Sequence, residues 1–565
     1  MSLFSSLQVA NNSLIASQLG LQVTGNNIAN ANTPGYIRER IVVGPAPTVR
    51  YGGLLMGTGV AVGAIVQQTD RFLEERMRSA TSDLANGEAQ ENAYVKLESL
   101  LGELSDTDLS TSLTSFFGSI QDILNQPESL SVRNLAVLQG RTLTDDIRRL
   151  DENARQLRED LNDQVVASAN KINELLDEIA KLNVQIVTAE GGEVVKSDAV
   201  GLRDRRSNVL KELAELVNIR TAEQENGDVT VFVGGDYLVF QGTVRHVKAV
   251  SSFDRGQPVT EIRLAETDSH LQITSGKVAG LYTARDVALT SFLDGLDQFA
   301  KTLAFEFNKI YSSGQGLSGY TTSLSEFAVD DATLALDQAG LPFKPVNGSF
   351  EVQVYNKQTG VTSTKLVRVD LNGVGTETTL ESLVADLDAV DGLRVTITPT
   401  RQVLIEADNP LVTFSFANDT SGALAALGIN TFFSGTGASS IGISNVVRTD
   451  PTKFAASQTG IGEDSKNAEK LATLLTQPLE TQANRSLANL YDALTGETAQ
   501  GAAVSKSVAE GFRVFQRTLE GQYLAVSGVN IDEEAVKLIA YQRAFQASAR
   551  VIATISEMLD LLVNL

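Results

Sequence analysis

The chain has 565 residues and ordinary hydrophobicity, long enough for about three to four domains. With 46 basic against 69 acidic residues it carries a formal charge of −23, a field that repels nucleic-acid phosphates and anionic lipid headgroups, so neither nucleic acid nor membrane is an expected partner. It has no cysteine, which excludes disulfides, thiolate metal sites and a cysteine nucleophile. No apolar run reaches the ~18 residues of a membrane span.

No charged side chain occurs before Arg38. A Sec-type signal needs a basic start and a compact apolar stretch, so export, if it occurs, is expected by another route. The spacing predicts a helix from Leu3 to Ala31, with Leu7, Leu14, Leu21 and Ile28 recurring every seven residues. Small residues follow three places after each: Ala10, Ser17, Thr24 and Ala31. That is a narrow seam for a closely approaching partner helix. Gln8, Asn11, Asn12, Gln18 and Gln22 give it a polar but uncharged surface, suited either to the wall of a water-filled channel or to an ordinary solvent face. Asn32, Thr33, Pro34 and Gly35 end the helix, since proline lacks a donor and glycine permits a reversal. Gly57-Thr58-Gly59 with Gly63 has the wrong spacing for a dinucleotide loop and reads as a turn and strand.

A long helix is predicted from Leu143 to Ala189, its apolar face formed by Leu143, Ile147, Leu150, Ala154, Leu157, Leu161, Val165, Ser168, Ile172, Leu175, Ile179, Leu182 and Ile186. The 4-4 step across Leu157, Leu161 and Val165 is a stutter that locally unwinds a supercoil. Helices from Glu88 to Gln126, Leu202 to Val217, Gly276 to Ile310 and Glu463 to Leu494 are expected to pack with it. Val229 to Val233 and Tyr237 to Gln241 flank Gly234-Gly235 as a hairpin. From Gly316 to Val447 the chain turns rich in β-branched residues, glycine and threonine. Strands are predicted at Phe350–Tyr355, Lys365–Asp370, Leu393–Thr398, Val403–Glu406 and Val412–Phe416, with a helix at Leu380–Leu387.

At the far end Asn530 reads as an N-cap, with Asp532, Glu533 and Glu534 in the first turn, where they complement the helix dipole. Leu538, Phe545, Ile552 and Leu559 again recur every seven residues, and Tyr541, Ser548, Ile555 and Leu562 lie three places later. Both ends therefore carry seams too narrow to offset the entropy of ordering them alone. They are expected to take stable shape only when sister copies cover their other faces, which makes Leu7, Leu14, Leu21, Ile28, Leu538, Phe545, Ile552 and Leu559 the candidate assembly interface.

Catalytic signatures are missing. His246, read in a strand, and His270, read beside one, belong to no zinc-protease motif and to no nucleophile signature. Asp386, Asp388 and Asp391 fail the calcium-loop pattern, with Asp391 where glycine belongs and Ile397 where glutamate belongs. The chain is expected to be no enzyme and to take no catalytic, cofactor-binding or metal site.

The predicted class is multidomain α+β. Terminal coiled-coil helices (1–75 and 520–565) enclose a long-helix bundle with small β elements (76–315 and 448–519), into which a mostly β outer domain (316–447) is inserted.

The run Asn26-Asn27-Ile28-Ala29-Asn30-Ala31-Asn32-Thr33-Pro34-Gly35-Tyr36 resembles the N-terminal signature shared by bacterial flagellar rod, hook and hook-associated proteins. In it, Asn26, Asn27, Asn30, Thr33, Pro34, Gly35 and Tyr36 are taken as signature residues. Ser527-Gly528-Val529-Asn530-Ile531-Asp532-Glu533-Glu534, with Tyr541-Gln542-Arg543-Ala544-Phe545-Gln546-Ala547-Ser548-Ala549-Arg550-Val551-Ile552, resembles the matching C-terminal signature in the form typical of the first hook-associated proteins. Rod proteins are much shorter and the hook subunit lacks the long helix, so the hook-associated branch is favoured over a hook or distal-rod subunit. A secreted carbohydrate-binding or hydrolytic protein using the β-rich insertion is the rival from another class. The resemblance implies export by the flagellar type III apparatus and a place in the flagellum at the hook–filament junction. The implied partners are sister copies in a tube, the hook protein, the next junction protein and a cognate export chaperone. That chaperone would cover the apolar stripe Leu538, Phe545, Ile552 and Leu559 in the cytoplasm.

Overall fold

The computed structural model describes residues 3–51, 53–102, 108–191 and 197–563. Helix α1 spans Leu3–Ala29. Two nested antiparallel hairpins follow: β1 (Glu39–Pro45) pairs with β4 (Val60–Gln67), and β2 (Val49–Tyr51) with β3 (Leu54–Met56). Next come α2 (Arg71–Leu101), α3 (Leu109–Asn125), the 61-residue α4 (Leu130–Glu190) and α5 (Val200–Leu216). Strands β5 (Ile219–Glu223), β6 (Val229–Val233), β7 (Asp236–Phe240) and β8 (Thr243–Val244) form a four-stranded meander, and β9 (Val247–Asp254) with β10 (Gln257–Leu264) a hairpin. Helix α6 (Lys277–Thr283) runs through one π-helical turn, Ala284–Ala288, into α7 (Leu289–Ser312).

The β-rich stretch contains β11 (Thr322–Leu324), β12 (Gly348–Asn356), β13 (Val361–Val369), α8 (Leu380–Asp388), β14 (Leu393–Ile397), β15 (Val403–Ala407) and β16 (Val412–Ala417). They form two three-stranded antiparallel sheets, ordered β11-β15-β14 and β13-β12-β16. Short elements α9 (Ala423–Leu427), β17 (Phe433–Ser434), β18 (Gly442–Ile443) and α10 (Asn445–Thr449) lead to α11 (Lys466–Thr473), α12 (Leu487–Ser527) and α13 (Ile531–Val563).

The chain divides into two compact units. One comprises Met1–Ala93, Glu159–Asp286 and Ala503–Leu565; the other Tyr94–Arg158 and Val287–Ala502. In the first, α4 holds its β neighbours through amide side chains at its surface. Asn183 Nδ2 donates to Val229 O at 2.8 Å, Asn173 Nδ2 to Val247 O at 2.8 Å, and Asn162 Oδ1 accepts from Thr260 N at 2.7 Å. The amides satisfy strand backbone groups, at the starts of β6 and β9 and in the middle of β10, that burial would leave without water. In the second unit Phe116, Phe307, Tyr311, Phe432, Phe433 and Phe454 form an aromatic core, with Phe432 and Phe433 edge to face at 4.9 Å. Beside it, Phe350, Val352, Leu383, Phe414 and Leu424 belong to a core shared by α8, α9 and the sheets.

All thirteen positions of the predicted long apolar face are buried on α4, which starts thirteen residues earlier than expected. The five predicted strands and the helix of the β-rich stretch are β12 to β16 and α8. Two readings need correction. Glu88 to Gln126 is not one helix: α2 ends at Leu101, α3 begins at Leu109, and 103–107 lie outside the described residues. Glu463 to Leu494 is also divided, because Pro478 cannot donate and Leu479 bridges to Arg485 through a turn with Ala483 in the left-handed region (φ 53°). His246 stands between β8 and β9 instead of in a strand. It pairs with Asp177 at 2.9 Å, and His270 with Glu261 at 3.0 Å, both exposed. Asp388 accepts from Val395 N at 2.8 Å, which fixes the end of α8 to β14.

Candidate functional site: the joined chain ends

The two chain ends meet along one seam. Helices α1 and α13 run antiparallel, and three contacts fix their register: Ser548 Oγ donates to Ser13 Oγ at 3.0 Å, the Tyr541 ring lies over Gly20, and Asn27 Nδ2 donates to Glu534 Oε2 at 3.0 Å. Each step of seven up α1 is matched by seven down α13. A Cβ added at Gly20 would sit 2.7 Å from the Tyr541 ring, so glycine there is a condition of the close approach.

The buried residues of α1 are Ala10, Ala16, Ser17, Gly20, Val23, Thr24 and Asn27. Small side chains thus form the tight face. The predicted anchors Leu7, Leu14, Leu21 and Ile28 are each half-buried, as are Leu538, Phe545, Ile552 and Leu559. On α13 the buried residues are Glu534, Ser548 and Ile555, so of its 33 residues three are covered by the chain itself. Gln8, Asn11, Gln18 and Gln22 are exposed, but Asn12 is not part of that face: it donates to Thr58 O at 2.8 Å and holds the β3–β4 loop on α1.

The polar end of the seam is a closed hydrogen-bond circuit. Asn27 Nδ2 also donates to Glu39 O at 2.9 Å, and Asn27 Oδ1 accepts from Glu39 N at 2.9 Å and from Tyr36 Oη at 2.9 Å. Arg38 donates through Nε to Glu534 Oε1 at 2.9 Å and through Nη2 to Glu534 Oε1 at 2.6 Å and Glu533 Oε2 at 2.8 Å. Lys537 Nζ adds a bond to Glu534 Oε1 at 3.0 Å, and Arg38 N donates to Ser527 O at 2.9 Å. Burial pushes the Glu534 carboxyl up, but the bonds from Asn27, Arg38 and Lys537 outweigh it and hold the group below its ordinary value. Burial pushes both Tyr36 and Glu39 up. Nearby, burial pushes the Asp204 carboxyl up to about 7, against opposing bonds from the Ile37 backbone and the Gln67 amide.

The remaining signature residues shape the turn that brings Tyr36 and Arg38 back to the seam. Asn30 Nδ2 donates to Asn26 O at 3.0 Å, Thr33 Oγ1 to Asn30 Oδ1 at 3.2 Å, and Tyr36 N to Thr33 O at 3.2 Å. Gly35 has φ 76°, and a Cβ there would lie 2.2 Å from Asn208 Oδ1. Pro34 and Gly35 border a cleft of about 500 Å³ that Glu74, Arg78, Glu520 and Tyr523 also line. At the other end Asn530 Oδ1 accepts from Asp532 N at 3.0 Å and Glu533 N at 3.4 Å, capping α13 and aiming Glu534 inward. Arg38 and Glu39 were outside the predicted site. The signal for Arg38 was its place as the first charge in the chain.

Three family models match in chain order. "Flagella basal body rod protein" covers residues 7–36, "Flagellar hook-associated protein FlgK helical domain" covers 94–324, and "Flagellar basal body rod FlgEFG protein C-terminal" covers 520–565. The chain is 26% identical over 574 residues to flagellar hook-associated protein 1 of Escherichia coli (strain K12), covering 98% of both chains. To that of Bacillus subtilis (strain 168) it is 23% identical, over 100% of this chain and 98% of the relative. A solved structure, the flagellar hook junction protein FlgK from Burkholderia pseudomallei, aligns with a TM-score of 0.49 at 14% identity, over 80% of this chain and 100% of the other. Both end matches are to basal-body rod models, whereas the helical-domain match falls between them, and the relatives align from end to end. On those matches the chain is similar along its whole length to flagellar hook-associated protein 1 of several bacteria, and its middle carries the helical domain of that protein's family.

Proposed function

We propose that the chain is a structural subunit of the bacterial flagellum that joins hook to filament, secreted by the flagellar type III route and built into a tube through α1 and α13. The names of its relatives and the family of its helical region support this reading. The observation that carries the assembly step is the bareness of the joined ends. Helix α13 leaves Val536, Ile539, Val551, Met558 and Leu561 exposed, and α1 leaves Phe4 and Ile15 exposed, beside eight anchors only half-covered. Such a surface is stable in water only when neighbours cover it. Sister copies, then the hook protein below and the next junction protein above, are the proposed neighbours. In the cytoplasm a cognate export chaperone takes their place on Leu538, Phe545, Ile552 and Leu559. No catalytic role is assigned.

Deleting 3–29 in the cell tests the assembly step. Hooks without filaments, with filament protein shed into the medium, are the expected outcome; normal filaments and swimming would overturn it. For the chaperone, binding to the full chain should be lost when everything after Ser527 is removed, and equal binding would remove that part alone.

A further inference from the structure

The β13-β12-β16 sheet turns one face to the core through Val352, Val354, Phe414 and Phe416. Its other face is a lattice of polar groups in two cross-strand rows: Thr364–Gln353–Ser415 and Thr362–Tyr355–Thr413. This face floors a cleft of about 780 Å³ that Ser318, Gly319, Lys453, Thr459 and Gly460 also line. Thr413 and Ser415 are only 6% and 4% exposed, yet neither hydroxyl has a hydrogen-bond partner among the described residues. Their residues are buried, but the hydroxyls open onto the cleft, where they are available to a ligand. Gln353 Oε1 accepts from Gln315 Nε2 at 2.9 Å, which leaves the Gln353 amide N–H groups free to donate.

The charge of the cleft opposes that of the chain. Lys357 and Lys453 line it against one acid, Glu463. Lys453 makes no ion pair among the described residues; its ammonium donates to the Gly319 and Ser318 carbonyls and sits 4.9 Å from the Tyr320 ring centroid. Burial lowers its pKa, which a bound anion would reverse. Strands ~4.8 Å apart place donors and acceptors at intervals that the hydroxyls of a sugar ring can bridge, and Tyr355 offers an apolar ring between them. A bare phosphate would find no arginine fork and no helix N-terminus here.

We propose that this cleft binds an acidic saccharide, its hydroxyls on Thr413, Ser415 and Gln353 and its carboxylate on Lys453 and Lys357. The property is independent of the proposed tube. It is tested on the full chain by calorimetric titration with short oligogalacturonates, their methyl esters and inorganic phosphate. Saturable binding of the free acids is expected, with the esters and the T413V/S415A variant weaker by about tenfold or more. T362V/T364V changes exposed positions only and should weaken binding severalfold with an unchanged melting curve, which keeps the test valid should the buried pair disturb folding. No binding of the free acids, equal binding of the esters, competition by phosphate, or indifference to both variants would each overturn the proposal.

Discussion

Asn27 and Glu534, 507 positions apart in the chain, share a 3.0 Å hydrogen bond at the point where its two ends meet. The bond joins a buried amide in an uncharged helix to the one buried acid of the last helix, and both sides of it have further partners. Glu534 is ionised there because Arg38 and Lys537 face it, and Asn27 is held because the Glu39 backbone reads both ends of its amide.

Replacing Asn27 by Ala leaves the Glu39 N–H buried and removes one support of Glu534. The terminal region of N27A should lose on the order of 2–3 kcal/mol, read as earlier urea unfolding of the ends by hydrogen exchange.

Arg38→Met should be worse, at about 3–5 kcal/mol, because a carboxylate that is almost fully buried loses its main counter-charge. E534Q in the same background should recover part of the loss by removing the stranded charge. The double-mutant cycle by chemical denaturation measures the coupling.

Gly20→Ala forces a methyl into the Tyr541 ring and should cost about 1–3 kcal/mol, whereas G25A meets nothing within 4 Å and should be neutral or stabilising. Thermal unfolding of the two variants side by side separates the steric effect from helix propensity.

Asp204 binds its proton more tightly in the folded chain, its value rising from 3.8 to about 7. Between those values the folded state holds more protons than the unfolded one, so its contribution to stability falls as pH rises through that window. D204N should flatten the fall. The measurement is the difference between wild-type and variant urea midpoints across pH 4 to 7, which cancels the similar slope from Glu39.

Leu14→Ala or Phe545→Ala removes a half-buried anchor and should disturb the isolated chain less than truncating fully buried Ile147 on α4, for which about 2–5 kcal/mol is expected. Assembly should show the opposite order if sister copies cover the anchors. Polymer yield against melting temperature, compared for the three variants, reads this.

Periodicity made α4 legible in the sequence because its apolar residues keep one face over many turns. Alternation made β12 to β16 legible for the same reason at period two. Helix α12 was not: Gly496, Gly501, Gly511 and Gly521 interrupt its pattern, and Gly501 makes room for Tyr94, whose nearest ring atom lies 2.5 Å from where a Cβ would be. Such a residue can be explained only by its neighbour. The seam was half legible. Heptads marked both the large residues and the small ones three places on, Ala10, Ser17 and Thr24, but not that the small ones would be the more covered while the leucines stay partly open. The circuit around Glu534 was beyond reach, since nothing local ties Arg38 to a glutamate near the other terminus.

A repeat of seven on both helices means that the apolar seam would accept α13 one notch along, about 10 Å away. Gly20 would then meet Ser548, a comfortable fit. Glu534 would meet Pro34, which has no N–H to offer, and would leave Arg38 behind. The seam by itself is therefore a toothed rack, indifferent to which notch is engaged, and the buried carboxylate is the pawl that selects one. A joint made this way does not creep under load: it holds its setting until the pawl lifts.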